Sequence, residues 1–338
     1  MKSIFYTVNI KYNSIRLQTE LLEKILSRSY ETNSIFVHSI NEAFEYSLNK
    51  ENVIFITYGQ YIPGLLFKRS FKNIVLIFHN ITPPKYFIKS DPFVAILSLL
   101  GYFQLFLLSF RKVNWVAVSD YNKKILEKMG HKNVLLCPNI VEKIDFPFIK
   151  KFTKPTLLYV GRIVENKDCL SLLKNVYSSA IMYKDEIDFY IVGKGKRGSK
   201  YLKKFERILY YKPANLNIHW LQGISYSELV NLYQKSWLYI TMSKHEGFGL
   251  PVCESLTYGT PAIYTSCGGQ ESIMNNIGLC KEQEMSKVIY SFLQNNELLE
   301  ELFNKELNIV KQYQEPEICK TIEKIYGRFF TKSFKKTF

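Results

Sequence analysis

The stretch Leu238–Thr257, LYITMSKHEGFGLPVCESLT, contains the three parts of an α/β unit. Leu238–Thr241 is a short apolar run typical of a buried strand, and Pro251–Thr257 has the spacing of a helix. Between them lies the glycine turn Gly247-Phe248-Gly249. Pro251 suits the first helical position, where no amide proton is needed. A strand, a turn and a helix in this order predict a parallel α/β fold.

The same alternation extends through the chain in both directions. Further strands are predicted at Ser3–Val8, Ser34–His38, Val53–Thr57, Ile74–Phe78, Trp115–Ser119, Val134–Cys137, Thr156–Val160, Phe189–Val192 and Asn217–Trp220. Helices are predicted at Leu17–Leu26, Asn122–Met129, Leu170–Tyr177, Lys200–Tyr210 and Tyr226–Lys235. Prolines and lysines interrupt the pattern at Glu142–Pro155. We therefore predict two α/β domains, residues 1–148 and 149–315, followed by a helix and basic tail at 316–338.

Composition excludes intrinsic disorder as the main state, because 47% of the residues are apolar and 22% are charged. The 45 Lys and Arg against 30 Asp and Glu give a net charge of +15. Such a surface attracts polyanions, whether nucleic acid, nucleotide phosphates or anionic lipid. The six cysteines include no C-x-x-C pair and are interpreted as reduced thiols. The amino terminus shows no secretory signal, so we expect a cytoplasmic protein.

Glu246 and Glu254 flank the glycine turn and are candidates for binding a nucleotide. Gly247 and Gly249 allow the backbone to approach a phosphate, and the amides at the helix start can bind an anion. Glu254 can accept hydrogen bonds from a ribose diol, while Glu246 faces the other end of such a ligand. The alternative is an ordinary glycine turn with two exposed glutamates. A zinc-protease helix is rejected, because its second histidine would fall at Gly249.

Two further loops follow predicted strands and carry basic residues. Arg162 can bind two phosphate oxygens and Lys167 can add a charge, although a basic chain places such pairs by chance. Gly193–Gly198 matches the dinucleotide pattern G-x-G-x-x-G, but Asn215–Gln222 lacks the acidic residue that a ribose requires. A tight turn opening a basic helix is the simpler interpretation. That helix can be a solvated face, or it can bind lipid or nucleic acid.

His79 follows the strand Ile74–Phe78, at the sheet edge where open α/β sheets bind ligands. It can hydrogen-bond a substrate, although most single histidines are structural. The sequence contains no D-x-D pattern for a divalent cation, no phosphate-binding G-x-x-x-x-G-K-[ST] loop and no G-x-S-x-G elbow.

Residues Phe93 to Phe110 contain no charge, and only Ser98, Gln104 and Ser109 are clearly polar. Eighteen residues are the lower limit for a membrane-spanning helix. Gly101 and the mid-chain position favour one or two buried helices over an interfacial helix or a true span, and all three interpretations stay open.

The motifs in this order resemble the retaining glycosyltransferases of the GT-B fold, specifically glycosyltransferase family 4, also called glycosyl transferases group 1. The resemblance is carried by segments that together span most of residues 53–280. These segments are His79–Pro84, Val118–Asn122, Pro138-Asn139, Val160-Gly161-Arg162 with Lys167, Val192–Gly195, Leu221-Gln222-Gly223, His245–Glu254 and Gly268–Glu271.

The resemblance implies two Rossmann-like α/β/α domains whose parallel sheets face each other across a cleft. The helix that begins at Pro316 would pack back on the amino-terminal domain. The family's catalytic residues would be Glu246, His79, Arg162 and Lys167. Its donor-binding residues would be Arg162, Lys167, Gly193, Gly223, Glu246, Gly247, Phe248, Gly249, Leu250 and Glu254. His79 would reach the donor sugar from the opposite domain.

The resemblance also implies the reaction and the partners. A nucleotide-diphosphate sugar would donate a sugar, with retention and without metal or cofactor, to a glycan or lipid-linked acceptor of an O-antigen, capsule or lipopolysaccharide. Such enzymes often work at the inner face of the cell membrane. The basic, phenylalanine-rich tail Arg328–Phe338 therefore adds to an expectation of reversible binding to anionic membranes. Nucleic acid is not expected as a partner.

One departure from the family and three alternatives remain. Many relatives have a glycine-rich loop after the first strand, whereas Val8–Ser14 contains no glycine. The alternative functions are a nucleotide-sugar epimerase of the same fold, a dinucleotide oxidoreductase, and a non-catalytic basic protein, either a membrane-associated scaffold or a nucleic-acid binder.

Overall fold

The computed structural model describes residues 2–6, 14–30, 32–141, 150–314 and 316–334. Its strands are β1 (Lys2–Tyr6), β2 (Asn33–Val37), β3 (Val53–Tyr58), β4 (Ile74–Phe78), β5 (Asn114–Ala117), β6 (Leu135–Leu136), β7 (Thr156–Val160), β8 (Ile187–Val192), β9 (Leu216–Leu221), β10 (Leu238–Thr241), β11 (Ala262–Thr265) and β12 (Leu279–Cys280). Its α-helices are α1 (Ser14–Tyr30), α2 (Ile40–Tyr46), α3 (Pro92–Ser109), α4 (Asp120–Lys128), α5 (Cys169–Tyr183), α6 (Lys200–Tyr210), α7 (Tyr226–Lys235), α8 (Leu250–Thr257), α9 (Gly269–Met274), α10 (Met285–Gln294), α11 (Asn296–Val310) and α12 (Glu317–Phe334).

The chain divides into two compact units. Unit 1 comprises Met1–Lys85, Phe93–Ile140 and Tyr313–Phe338, and unit 2 comprises Tyr86–Pro92 and Val141–Gln312. The predicted boundaries at residues 148–149 and 315 lie outside the described residues.

Unit 1 is built on a six-stranded sheet in the order β2-β1-β3-β4-β5-β6, and every described pairing is parallel. The strands β3 and β4 are buried along their whole length. This agrees with their uninterrupted apolar sequences, which are typical of strands covered on both faces.

The helix α12 packs against α1 within unit 1. The Tyr30 hydroxyl donates to the Glu323 carbonyl (2.9 Å), and the rings of Tyr30 and Phe330 stack with centroids 4.6 Å apart. A β-carbon at Gly327 would lie 2.2 Å from the Tyr30 hydroxyl oxygen, so this close approach requires glycine. Residues 335–338 of the predicted basic tail lie outside the described residues.

The apolar run after Asp91 forms one continuous helix, α3, which passes through Gly101 without a break. A β-carbon at Gly101 would lie 3.0 Å from the Tyr61 amide nitrogen, so the glycine allows close packing rather than ending the helix. Among the described residues, α3 is the one helix long and apolar enough to cross a membrane by length and composition, and 33% of it is buried. The prediction that this run is buried in the core is therefore wrong for the exposed face of α3.

Unit 2 also contains a six-stranded sheet, in the order β12-β11-β10-β7-β8-β9 with parallel pairing in every described pair. Serines determine where two of its helices begin. Ser199 accepts from the Leu202 amide at the start of α6, and Ser225 forms a capping box with Glu228 at the start of α7. Both helices have the predicted bounds. All six cysteines lie among the described residues and are free thiols, as predicted.

Candidate functional site

The predicted donor-binding residues follow the carboxyl ends of strands in the unit 2 sheet, either in loops or in the first turns of α8. In the strand order, β7 has β8 and β9 on one side and β10, β11 and β12 on the other. The strand order therefore runs outward in opposite directions from the adjacent strands β7 and β10, which makes their boundary a switch point. Open α/β sheets bind ligands at such a switch point, outside the carboxyl ends of the strands.

The switch point is occupied by an ion pair between Lys167 and Glu246. The Lys167 ammonium donates to Glu246 Oε1, and the Ser243 hydroxyl donates to the same oxygen over 3.0 Å. The two charged side chains are only 16% and 15% exposed. Partial burial strengthens their attraction, because less water screens it. The loops after β7 and β10 are therefore joined at their charged residues.

A second charged cluster supports the Lys167 loop from beside it. Lys244 lies 3.1 Å from Asp168 Oδ2 and 2.6 Å from Glu282 Oε2, and its amide donates to the Asn166 carbonyl (2.8 Å). Asp168 has a φ of 45° and accepts from the Ser171 amide at the start of α5. This cluster and Ser243 were not predicted from the sequence, because their contacts join positions far apart in sequence or lie within an irregular loop.

The glycine turn is held against the loop after β11. The Glu246 amide donates to the Cys267 carbonyl (3.1 Å), and the Gly269 amide donates to the Glu246 carbonyl (3.0 Å). A β-carbon at Gly269 would lie 2.6 Å from the Glu246 carbonyl oxygen. Only glycine permits this approach, which fixes the backbone ahead of α8.

The helix α8 begins at Leu250, one residue before the predicted start at Pro251. Gly249 is its N-cap, with a φ of 97° that favours glycine. The Phe248 side chain is buried, and Gly247 and Leu250 are partly exposed. The first amides of a helix lack partners within it, so this turn presents the donors that an anion requires.

Glu254 lies about one turn into α8, as predicted. The Tyr233 hydroxyl donates to Glu254 Oε2 over 3.0 Å. Burial raises the pKa of the Glu254 carboxyl, and the hydrogen bond from Tyr233 opposes this shift. No local sequence pattern connects Tyr233 with Glu254, so this contact was not predictable from the sequence.

The loops after β7 and β8 lie side by side and position Arg162 and Gly193. The Ile163 amide donates to the Lys194 carbonyl (3.0 Å). A β-carbon at Gly193, whose φ is 153°, would lie 1.9 Å from the Gly161 carbonyl oxygen. The Arg162 side chain is exposed beside this contact. Gly223 follows β9 with a φ of 70°, and a β-carbon there would lie 3.3 Å from Lys194 Nζ.

The segment Tyr86–Pro92 belongs to unit 2, although the sequence analysis included it in residues 1–148. The Tyr86 hydroxyl donates to the Lys244 carbonyl (3.0 Å), and Asp91 forms an ion pair with Lys196. The segment therefore contacts the loops that follow β8 and β10.

His79 lies in unit 1, directly after β4. It lines a small cavity with Gln18, Thr19, Pro138 and Asn139. Burial lowers the pKa of the His79 imidazole to about 4, so the ring is neutral near pH 7. Its contact with the donor sugar, and the cleft between the domains, stay predictions.

The predictions about the glycine-free loop and about metal independence stay predictions. Residues 8–13 of the glycine-free loop Val8–Ser14 lie outside the described residues. Among the residues that the structure describes, no group of three or more His, Cys, Asp or Glu side chains could hold a metal ion. Metal independence of the reaction stays a prediction.

Comparison with known proteins agrees with this geometry. Residues 141–306, most of unit 2, match the family model described as Glycosyl transferases group 1. The O-antigen chain mannosyltransferase of Salmonella typhimurium is 25% identical over 72% of this chain and 66% of the relative. A Campylobacter jejuni enzyme, N,N'-diacetylbacillosaminyl-diphospho-undecaprenol alpha-1,3-N-acetylgalactosaminyltransferase, is 24% identical over 66% of this chain and 63% of the relative. The chain thus aligns with just under two thirds of the length of these relatives.

A solved structure shows the same fold. The Anabaena protein HepE, in complex with UDP and glucose, superposes with a TM-score of 0.70 at 13% identity, covering 97% of this chain and all of that protein. The predicted GT-B fold is confirmed. The family model and the curated relatives also bear out the predicted enzyme class, glycosyltransferase, for the regions that they cover.

Proposed function

We propose that the protein transfers a sugar from a nucleoside diphosphate sugar to a glycan or lipid-linked acceptor, with retention of anomeric configuration and without a metal ion. The observation that carries the proposal is the Lys167–Glu246 ion pair at the switch point of the unit 2 sheet, next to the start of α8. A cation and helix amides suit a diphosphate, and the carboxylate suits a sugar hydroxyl.

In this proposal Arg162 and Lys167 stabilise the diphosphate as it leaves. Negative charge develops on the leaving oxygen when the bond to the anomeric carbon breaks. Fixed cations and helix amides stabilise that charge most effectively where water is scarce. The low exposure of Lys167 meets this condition. The charge is then compensated by the chain's own residues, which is why we propose that no metal is required.

Glu246 and Glu254 bind the two ends of the donor in this proposal. Lys167 and Ser243 both donate to Glu246 Oε1, so Oε2 can accept from a hydroxyl of the transferred sugar. Glu254, oriented by Tyr233, accepts from the ribose diol. Neutral His79 donates a hydrogen bond to the donor sugar from unit 1.

Retention follows if the acceptor hydroxyl attacks on the face that the diphosphate leaves. The acceptor oxygen bonds to the anomeric carbon, the bond from that carbon to the phosphate oxygen breaks, and the acceptor proton passes to the leaving phosphate. Positioning and electrostatic stabilisation then supply the rate enhancement, and a separate general base is not required.

The acceptor assignment is supported by the relatives. One is named for O-antigen chain synthesis and the other for a diphospho-undecaprenol acceptor. We therefore propose that this chain acts in cell-envelope polysaccharide synthesis, in the cytoplasm at the inner face of the membrane. The matches do not favour the epimerase or scaffold alternatives.

The test is turnover of a panel of UDP- and GDP-sugars with a diphospho-undecaprenol-type acceptor, with and without EDTA. NMR determines the anomeric configuration of the product. We expect release of one nucleoside diphosphate, a retained configuration, and a large loss of turnover in Glu246→Gln but not in Glu300→Gln, an exposed glutamate on α11. An inverted product, or inhibition by EDTA, would contradict the retaining, metal-independent reaction.

A further inference from the structure

The helix α3 buries Leu105 and Leu108 in the core of unit 1 but leaves many of its other apolar side chains exposed. Six large apolar residues at helical spacing, which we call the α3 outer face, are each 46–74% exposed. They are Phe93, Ile96, Leu99, Phe103, Phe106 and Phe110. Spacings of three and four residues place the first five along one side of the helix, and Phe110 directly follows its last residue. Contiguous exposed apolar surface of this kind is uncommon on soluble proteins and marks an interaction site.

Two polar side chains of α3, those of Gln104 and Ser98, face the interior of unit 1. Gln104 is buried, where its Oε1 accepts from the Ile62 amide (3.0 Å) and the Tyr58 hydroxyl (3.1 Å). Its Nε2 donates to the Ile62 carbonyl over 2.8 Å. Ser98 is also buried and donates to the Thr82 carbonyl. On a surface helix the polar residues usually face the solvent, whereas here two polar side chains are buried and the exposed face is apolar.

These inward contacts attach α3 to the rest of unit 1 along its length. The Tyr58 hydroxyl also donates to the Gly101 carbonyl (3.0 Å), and His131 Nε2 lies 3.0 Å from the Leu105 carbonyl. A transmembrane orientation would remove all of these polar groups from their partners. The helix is thus built to keep its outer face exposed while its inner face stays docked.

Basic residues flank α3 in the sequence, and two of them meet at its carboxyl end. From Val53 to Ser119 the sequence contains seven Lys and Arg and a single acid, Asp91, which is paired with Lys196. At the carboxyl end of α3, Arg111 Nη1 donates to the Lys68 carbonyl over 2.8 Å. This contact brings the loop that contains Phe67, 89% exposed, next to the end of the helix.

We propose that the α3 outer face docks on an anionic lipid bilayer, with α3 lying in the plane of the membrane interface. The apolar side chains enter the boundary between headgroups and acyl chains, and exposed bases such as Arg69, Lys72 and Lys112 contact the lipid phosphates. Apolar insertion together with a basic patch supplies the two signals that stable peripheral binding needs. This inference rests on the proposed membrane location and names the surface responsible.

The charge distribution favours lipid over a second copy of the chain as the occupant. Two copies meeting at this face would bring basic residues of the same sign together, which is unfavourable at an interface. An anionic bilayer offers the opposite charge as well as an apolar interior.

The test is flotation of the full chain with phosphatidylcholine vesicles, with and without phosphatidylglycerol. The double variant Leu99→Gln, Phe103→Gln is compared with the control Leu48→Gln, Ile181→Gln, which removes two apolar side chains of similar exposure elsewhere. We expect the wild type and the control to float only with anionic vesicles. The α3 variant should have a partition coefficient on those vesicles that is lower by about tenfold or more, because it buries less apolar area in the membrane. In ~1 M salt, where the Debye length is about 3 Å, wild-type binding should weaken.

Three results would overturn the inference. The α3 variant could float like the control, the wild type could resist extraction from vesicles at alkaline pH as a spanning protein does, or the wild type without lipid could be a dimer that the α3 variant dissociates. Circular dichroism checks that the variants fold. Nucleotide binding is measured separately, so that a failure of the proposed function leaves the flotation result interpretable.

Discussion

Lys167 and Glu246, 79 positions apart in sequence, form an ion pair at the switch point of the unit 2 sheet. The cation that we assign to the diphosphate and the carboxylate that we assign to the sugar are therefore held together before the donor arrives. A bound diphosphate would share the Lys167 ammonium with Glu246, so the two roles are coupled.

Replacing Lys167 by Ala should lower kcat/KM by about 10- to 100-fold, because a hydrogen bond to a charged group is worth about 1.5–3 kcal/mol. The substitution also leaves the Glu246 carboxylate without its cation. Steady-state kinetics measure the loss. Lys167→Arg should restore part of it, and Lys287→Ala, an exposed lysine on α10, should have no effect. Equal activity of Lys167→Ala and Lys287→Ala would remove Lys167 from the site.

Glu254 should make donor binding sensitive to the ribose. The wild type should bind a ribonucleoside diphosphate several-fold more tightly than its 2′-deoxy form, and Glu254→Gln should reduce this ratio. Because burial raises the pKa of Glu254, the ratio should fall as the pH is lowered toward that pKa, where the carboxylate gains a proton and stops accepting from the diol. Calorimetric titration at several pH values measures the ratio of the two affinities. Both ligands carry the same diphosphate, so its protonation affects both affinities equally and cancels in the ratio. A ratio that is independent of pH, or that Glu254→Gln leaves unchanged, would assign the ribose to another residue.

Gly193 and Gly198 provide a matched pair within one loop. Both have positive φ, but a β-carbon at Gly193 would lie 1.9 Å from the Gly161 carbonyl oxygen, whereas nothing lies within 4 Å at Gly198. Gly198→Ala should therefore cost about 1 kcal/mol through backbone strain alone. Gly193→Ala should cost more and should weaken nucleotide binding, because the loop that carries Arg162 must move. Denaturant unfolding compares the two, and equal losses would contradict the close contact.

His79→Ala should lower the rate of sugar transfer while leaving nucleoside diphosphate binding unchanged, because His79 lies in unit 1. Because burial lowers the pKa of His79 to about 4, this histidine does not change its charge between pH 6 and 8 and should cause no change of turnover in that range. Turnover and binding are compared with His38→Ala, an exposed histidine of the same unit. A parallel loss of binding and turnover would place His79 in a different role.

Much of the fold was predictable because hydrophobic patterns and helix signals are local. The bounds of β4, β7, β10, α6 and α7 agree with the sequence predictions. The carboxyl-terminal elements from β11 to α11 were not assigned. The exposed apolar face of α3 was not predictable, since composition does not show which side chains pack on the core. Its buried Gln104 was visible only as an isolated polar residue.

The positions of the candidate site residues in the fold were predictable where charged residues and glycines follow strands. Glu246, Glu254, Arg162 and Lys167 all lie in unit 2 as expected, at or after the carboxyl ends of strands. The residues that orient them were not predictable. Ser243 and Tyr233 reach Glu246 and Glu254 through the folded backbone rather than through any sequence pattern.

The central claim is that unit 2 binds a nucleoside diphosphate at Arg162 and Lys167, and thermal unfolding with UDP, GDP and ADP tests it most directly. A ligand at 100 times its Kd stabilises a protein by about 2.7 kcal/mol, which raises Tm by several degrees. We predict that one nucleoside diphosphate raises the Tm of the wild type and of Lys287→Ala, and that Arg162→Ala loses this shift. No shift with any of the three at millimolar concentration, or the same shift in Arg162→Ala, would contradict the account.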